Sequence, residues 1–334
     1  MGKVQIIAEI GVNHNGDIEL GKRLITAAAE AGADAVKTQL FVAEKLASAQ
    51  ARKAVYQRKT TGEADDNQLG MLKKLELSFA QYLTLNEHAK SIGVTLFAAP
   101  FDIESVRALV SISSPIIKIP SGEITNLPYL EEIARHNVKV YLSTGMSSMD
   151  EILAAVRVLK DSVSELTVLH CHTQYPTAFS DANLMAIDTI RRETGHPVGY
   201  SDHTPGIEAA IAAVALGATV IEKHFTLDKS LPGPDHQASL EPGEFALLVR
   251  SIRNVEEALG DGVKKMMPSE AENRAIARKS IVAVRPIRRG EIISEDMLAA
   301  KRPGDGISPM RWREVVGSVA QKDYEVDDFI TCKI

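Results

Sequence analysis

The residues of this chain that can do chemistry fall at the ends of short apolar runs. Glu9 closes VQIIAE, Lys37 and Gln39 lie in AVKTQ, and Lys118 precedes Ser121 and Glu123 in KIPSGE. Ser143 closes VYLS, Tyr175 follows LHCHTQ, and Ser201, His203, Glu222, Lys223 and His224 fall in GYSDHT and IEKHF. In an extended strand, side chains alternate between faces, so Glu222 and His224 share a face, Lys223 takes the other, and Ser201 lies on the same face as His203. If the two histidine faces point the same way, two imidazoles sit side by side. With no third protein ligand in view, such a pair suits an open divalent site completed by water and substrate, closer to manganese or magnesium than to closed structural zinc. Lysines inside apolar strands need anions, because burying an unpaired ammonium costs several kcal/mol, roughly. Lys37 and Lys118 therefore either pair with neighbouring carboxylates or combine with Ser121, Ser143 and Ser201 to receive a phosphate or carboxylate ligand. Glu9 is a candidate general acid or base, or a salt-bridge partner. Other residues read plainly: LPGPDHQAS, with Asp235 and His236, as a turn, Cys171 and Met146 as core packing, and His88, His136 and His196 as helix or loop residues.

These groups need a scaffold that presents strand ends together. The runs VQIIAEI, ADAVKTQ, VTLFAA, PIIKIP, VKVYLS, LTVLHC, PVGYSDH and ATVIEKHF read as strands. Amphipathic stretches such as DIELGKRLITAAAEAG, DIESVRALVS, NLPYLEEIARH and SMDEILAAVRVLK separate them, with Asp, Asn or Ser at their starts. Eight β-α units ending near residue 260 match the roughly 250 residues of a (β/α)8 TIM barrel, whose catalytic groups project from strand C-terminal ends. A doubly wound open sheet is the rival. It loses ground because GVNHNG after the first strand lacks the glycine spacing of a dinucleotide loop. The second connection, roughly 40 to 92, reads as a long polar functional loop before its own helix. From Ser280 the texture changes to short strands and turns. The expected organisation is a catalytic barrel over 1–262, a linker over 263–279, and a small β-rich domain over 280–334, of a size that is only marginally stable alone.

Composition narrows the function. The 334 residues carry a formal net charge of -6 and only 5% aromatic residues, which argues against a nucleic-acid binder. Cys171 and Cys332 are too few for a disulfide framework, and no uncharged run approaches the ~20 residues that cross a bilayer. The start of the chain lacks a signal-peptide pattern, so a cytoplasmic location without membrane attachment is expected.

The blocks AEIGVNHNG, AVKTQ, KIPSGEITNLPYL, STGM, LHCHTQYPT, GYSDHT, IEKHFTLDKSLPGPDH and KRPGDGISP, in that order, resemble the bacterial sialic acid synthases and the related legionaminic acid synthases. The resemblance implies a barrel followed by an antifreeze-like (SAF) domain, in a domain-swapped homodimer. It implies condensation of phosphoenolpyruvate with an N-acetylated mannose-type sugar, releasing phosphate. The sugar would be N-acetylmannosamine or, alternatively, 2,4-diacetamido-2,4,6-trideoxymannose. It also implies roles: His203 and His224 for Mn(II), with Mg or Co as other candidates, and Glu9 as the catalytic carboxylate. Lys37, Lys118, Ser121, Ser143 and Ser201 would hold phosphoenolpyruvate. Gln39, Asn67, Glu123, Tyr175 and Asp235 would meet the sugar, together with Arg302 from the other subunit. Ala98-Ala99 replaces a common Ser-Thr pair and removes a phosphate-side hydroxyl, while Thr173 and Gln174 depart from the family on the sugar side. A Schiff-base pyruvate aldolase using Lys37 or Lys118 is the competing enzyme class. A carbohydrate- or ice-binding module on an inert barrel is the competing non-enzyme.

Overall fold

The computed structural model describes residues 2–61 and 67–331. Strands β1 (Gln5–Glu9), β2 (Ala35–Leu40), β3 (Thr95–Pro100), β4 (Ile117–Ile119), β5 (Lys139–Ser143), β6 (Glu165–Cys171), β7 (Val198–Asp202) and β8 (Val220–His224) close in sequence order into one parallel barrel. Each strand is covered on both faces, which is why each reads as a nearly unbroken apolar run. Helices start where the sequence expects them. Asp17, Asp102, Asn126 and Ser148 cap Ile18–Glu30, Ile103–Ser111, Leu127–Ala134 and Met149–Leu159, each accepting a backbone N–H bond in the first turn.

Period two along the strands builds the site in layers. Ile7, Ala35, Phe97, Ile116, Tyr141, Leu169 and Val220 form a buried plug inside the barrel. Two residues further along the same faces stand Glu9, Lys37, Ala99, Lys118, Ser143, Cys171 and Glu222. The plug is dense enough that a Cβ at Gly199 would lie 2.6 Å from both Leu169 and the Val220 carbonyl. The polar layer therefore rests on a packed floor and cannot sink into the barrel.

The β2–β3 connection differs from a plain loop. Helices Ala43–Leu46, Val55–Thr61 and Gln68–Leu75 precede Phe79–Ser91, and their apolar residues build a separate small core of Val12, Phe41, Ala43, Ala47, Met71, Leu72 and Leu75. Part of the polar stretch seen in the sequence, 62–66, lies outside the described residues.

The chain divides into two compact units, Met1–Gly260 and Asp261–Ile334. The stretch 263–279, expected as a linker, includes the helix Ala271–Ala277 and falls in the second unit. There β9 (Ser280–Ala283) pairs antiparallel with β10 (Leu298–Lys301) over a core that includes Ile281, Ile287, Ile293, Val315, Tyr324 and Ile330. Cys332 and the rest of 332–334 lie outside the described residues. Among the described residues no helix is long and apolar enough to cross a membrane.

Candidate active site

The strand C-terminal ends converge on a cavity of about 280 Å³, lined by Glu9, Lys37, Gln39, Lys118, Ser121, Ser143, Tyr175, Ser201, His203, His224 and Asp235. Two expected residues of the barrel unit, Asn67 and Glu123, do not line it. Asn67 caps the helix Gln68–Leu75, accepting from the Gly70 N–H at 3.3 Å. Glu123 accepts from the Asn126 amide at 2.6 Å. Arg302 belongs to the second unit, where its Nε donates to the Ala277 carbonyl at 3.1 Å.

The floor is an ion network. Lys118 Nζ donates to both oxygens of Glu222 at 2.8 and 2.9 Å, and Ser201 Oγ donates to Glu222 Oε1 at 2.9 Å. Lys37 pairs closely with Glu9 and lies 3.7 Å from Glu222. Burial opposes the charge of Glu222, but Lys118 and then Lys37 hold its carboxyl well below the usual carboxylate range. Burial pulls Lys37 down to about 7, with Glu222 opposing and Lys118 adding to the fall. Ser143 Oγ is buried with no hydrogen-bond partner, while Ser121 Oγ accepts from the Gly145 N–H at 3.0 Å. Ala99 lines the same floor without a hydroxyl.

Above the floor lie the imidazoles of His203 and His224, their ring centroids 5.3 Å apart. Lys223 turns away from the cavity, as alternation requires, and donates to Asp202 at 2.7 Å. His203 Nδ1 meets the His172 carbonyl at 2.5 Å, which fixes the ring and leaves Nε2 as the available nitrogen. Burial works against its charge, yet Cys171, the His172 carbonyl and Glu222 hold His203 above its ordinary value. Burial, then His203 and Lys37, keep His224 well below it. His224 Nδ1 has no hydrogen-bond partner and lies 3.9 Å from Asp235, whose carboxyl burial pushes up to about 7 against the pull of His203 and Lys37. Tyr175 covers the pair, its ring 4.1 Å from His203 and 5.5 Å from His224, and Tyr56 stacks on Tyr175 at 4.9 Å. Among the described residues no group of three His, Cys, Asp or Glu side chains forms a closed metal cage. An anchored imidazole beside an unpartnered one fits an open two-nitrogen site for a divalent cation.

Several residues acquire positions that the sequence did not assign. Glu222 shares the face of His224, yet its place as the hub of both lysines emerges only when the barrel closes. Cys171 lines the cavity with Sγ 3.8 Å from His203 Nδ1, and Met146 is 74% exposed on the rim, so neither is mere core packing. LPGPDHQAS is no solvated turn. Asp235 and His236 are buried, and His236 is held by Thr226 at 2.7 Å and Asn15 at 3.3 Å. Thr173 lines the cavity whereas Gln174 is exposed.

Gly11 sets the position of Glu9. Its N–H donates to Glu9 Oε1 at 2.6 Å, and a Cβ there would collide with that oxygen and lie 2.6 Å from Gln39 Cγ. Gly11→Ala is therefore expected to lower kcat/KM by roughly 10- to 100-fold through displacement of both side chains, and to lower Tm as well, because the buried Glu9–Lys37 pair is disturbed. Steady-state kinetics beside a melting curve checks this, and unchanged kinetics would refute it.

The NeuB family profile matches residues 24–264, and the SAF domain profile matches residues 278–331. The chain is 51% identical over 333 residues to the N,N'-diacetyllegionaminic acid synthase of Campylobacter jejuni, covering 99% of each chain. It is 47% identical to the Legionella pneumophila protein of the same name, over 94% of this chain and 89% of that one. Among solved structures, it is similar to the N-acetylneuraminic acid synthetase of Leptospira borgpetersenii, solved with citrate, with a TM-score of 0.72 and 37% identity over 81% of this chain and 90% of that one. With both profiles in their expected order and identities of this size along almost the whole length, the chain belongs to the NeuB family.

Proposed function

We propose that this protein is a transferase that condenses phosphoenolpyruvate with an N-acetylated mannose-type sugar and water, giving a nonulosonic acid and phosphate. The observation that carries the reading is one cavity in which two buried lysines and three serine hydroxyls, that of Ser143 unpartnered, lie beneath two adjacent imidazoles. The names of the Campylobacter and Legionella relatives favour 2,4-diacetamido-2,4,6-trideoxymannose over N-acetylmannosamine as the acceptor.

Lys37, Lys118, Ser121, Ser143 and Ser201 hold the phosphate and carboxylate of phosphoenolpyruvate, which orients its C3 towards the imidazoles. His203 and His224 would hold a divalent cation, manganese first with magnesium or cobalt as alternatives, which would supply Lewis-acid polarisation of the sugar aldehyde. C3 attacks that aldehyde, water adds at C2, and phosphate leaves. Glu9, held by Gly11 and Lys37, would take the proton released when water adds at C2 and pass it to the new sugar hydroxyl or the leaving phosphate. Asp235, whose carboxyl burial pushes up, lines the cavity beside His224 and is placed to hydrogen-bond a sugar hydroxyl. Gln39 and Tyr175 bound the sugar side. Asn67 and Glu123 would join them only if the adjoining loops move. The proposal includes a cytoplasmic homodimer in which Arg302 of one copy completes the sugar side of the other.

Phosphate release from phosphoenolpyruvate is the test, with each sugar in turn and with or without Mn(II). The expected result is release that needs both sugar and metal. Activity that survives EDTA and is trapped by borohydride would replace this reading with a Schiff-base lysine mechanism.

A further inference from the structure

One wall of the cavity is apolar. Val12, Leu46, Met71, Leu72, Leu75 and Phe101 line it, contributed by the loop after β1, the β2–β3 connection and the loop after β3. In a closed ring of eight strands, β2 and β3 stand opposite β6 and β7, the strands that deliver Tyr175 and His203. Leu46, Met71, Leu72 and Leu75, carried by the β2–β3 connection, thus come from the side of the ring opposite Tyr175 and His203. The wall's residues pack into the small core of the connection, not into the main barrel core.

A hydrocarbon surface is out of keeping with a site for an anion and a polyol. The donor cannot be what it serves, because the lysine and serine floor holds phosphate and carboxylate below. What remains is the far end of the acceptor, whose reacting carbon lies at the imidazoles. On the reaction proposed above, we infer that Leu46, Met71 and Leu72 are specificity-determining residues. They receive methyl groups on the distal part of the sugar, namely a C6 methyl and the methyl of an acetamido group at C4. Gln57 and Gln68, which line the same side, present amide dipoles suited to the acetamido N–H and carbonyl. A hydroxyl placed against Leu46, Met71 and Leu72 loses water and gains no partner from them, while a methyl gains contact. One such apolar group in a fitted pocket is worth roughly 10- to 200-fold in kcat/KM.

The test compares kcat/KM for 2,4-diacetamido-2,4,6-trideoxymannose and N-acetylmannosamine, using the full-length protein with Mn(II) and saturating phosphoenolpyruvate. Wild type is expected to prefer the diacetamido sugar at least tenfold. Met71→Thr and Leu72→Thr should each shift that ratio towards N-acetylmannosamine by about tenfold, while KM for phosphoenolpyruvate stays within about twofold and Met71→Leu keeps the wild-type ratio. Equal losses with both sugars would overturn the assignment, since the residues would then serve only the packing of their own helices. Because the Thr variants could fail to fold, the wild-type protein provides a second readout with sugars altered singly at C4 and C6. Restoring the C6 hydroxyl should lower kcat/KM about tenfold, and no loss there would overturn the role of the wall. Wild type that released phosphate with neither sugar would overturn the underlying reaction and this assignment with it, whereas turnover without discrimination would overturn the assignment alone.

Discussion

Glu222→Gln is expected to destabilise the barrel unit by about 3–5 kcal/mol, the usual consequence of removing one partner of a buried ion network. The wild-type carboxylate takes two bonds from Lys118, one from Ser201, and lies within ion-pair range of Lys37. The amide keeps the shape but loses the charge and offers a donor where Lys118 also donates. For a unit of this size the melting temperature should fall by roughly 10 °C. Lys37 fixes the sign of the pH dependence, because burial already pulls it down to about 7 and the variant removes the opposing pull of Glu222. Its folded-state pKa then lies further below its unfolded value, so the unfolded chain binds more protons and stability rises with pH up to the unfolded value. Melting curves from pH 6 to 9.5 read both effects. Inorganic phosphate should raise the melting temperature of the variant more than that of wild type, because a bound anion replaces the missing charge. A variant that melts like wild type at every pH would remove Glu222 from the centre of the site.

The second large effect is on chemistry. Removing the divalent cation with a chelator, or substituting His224→Ala, is expected to reduce phosphate release at least about 1,000-fold, the scale of several kcal/mol of Lewis-acid stabilisation. The fold should survive, since His224 Nδ1 makes no hydrogen bond whose loss would strand a partner. His203→Ala carries an added cost, because the His172 carbonyl loses its partner. Added Mn(II) should restore the chelated protein but not the variants. Metal content, melting temperature and phosphate release, measured together, decide the matter. A metal-free protein working at the wild-type rate would end the proposal.

The sequence foresaw the parts of the site that depend on local pattern. Strands were legible because most are apolar runs covered on both faces, and alternation put Glu222 and His224 on one face and Lys223 on the other, so that the structure had only to decide which face is inward. The partners of the lysines were not legible. Lys118 on β4 meets Glu222 on β8, four places away around the ring, so their contact crosses the barrel interior and leaves no trace in either segment. The helices Ala43–Leu46 and Gln68–Leu75 were hidden for a different reason. They are short and polar outside, and their apolar residues answer to one another and to Val12 and Phe41, not to a long periodic face. Asp235 lies in a block the sequence singles out, but the tie that holds its loop was not legible: the neighbouring His236 meets Asn15, from the other end of the barrel sequence, and Thr226.

The close pairing of Lys37 with Glu9 and of Lys118 with Glu222 means that both ammonium groups are already neutralised within the protein. An arriving anion must exchange partners with a carboxylate, so part of its attraction is spent in displacement and its hold is loosened. The same exchange runs backwards at the end of a cycle. On the proposed reaction, Glu9 and Glu222 would be within reach to take the lysines back when phosphate departs, and neither cation would be left bare in a dry interior. The carboxylates are thus resident competitors of the product, and they favour turnover over retention.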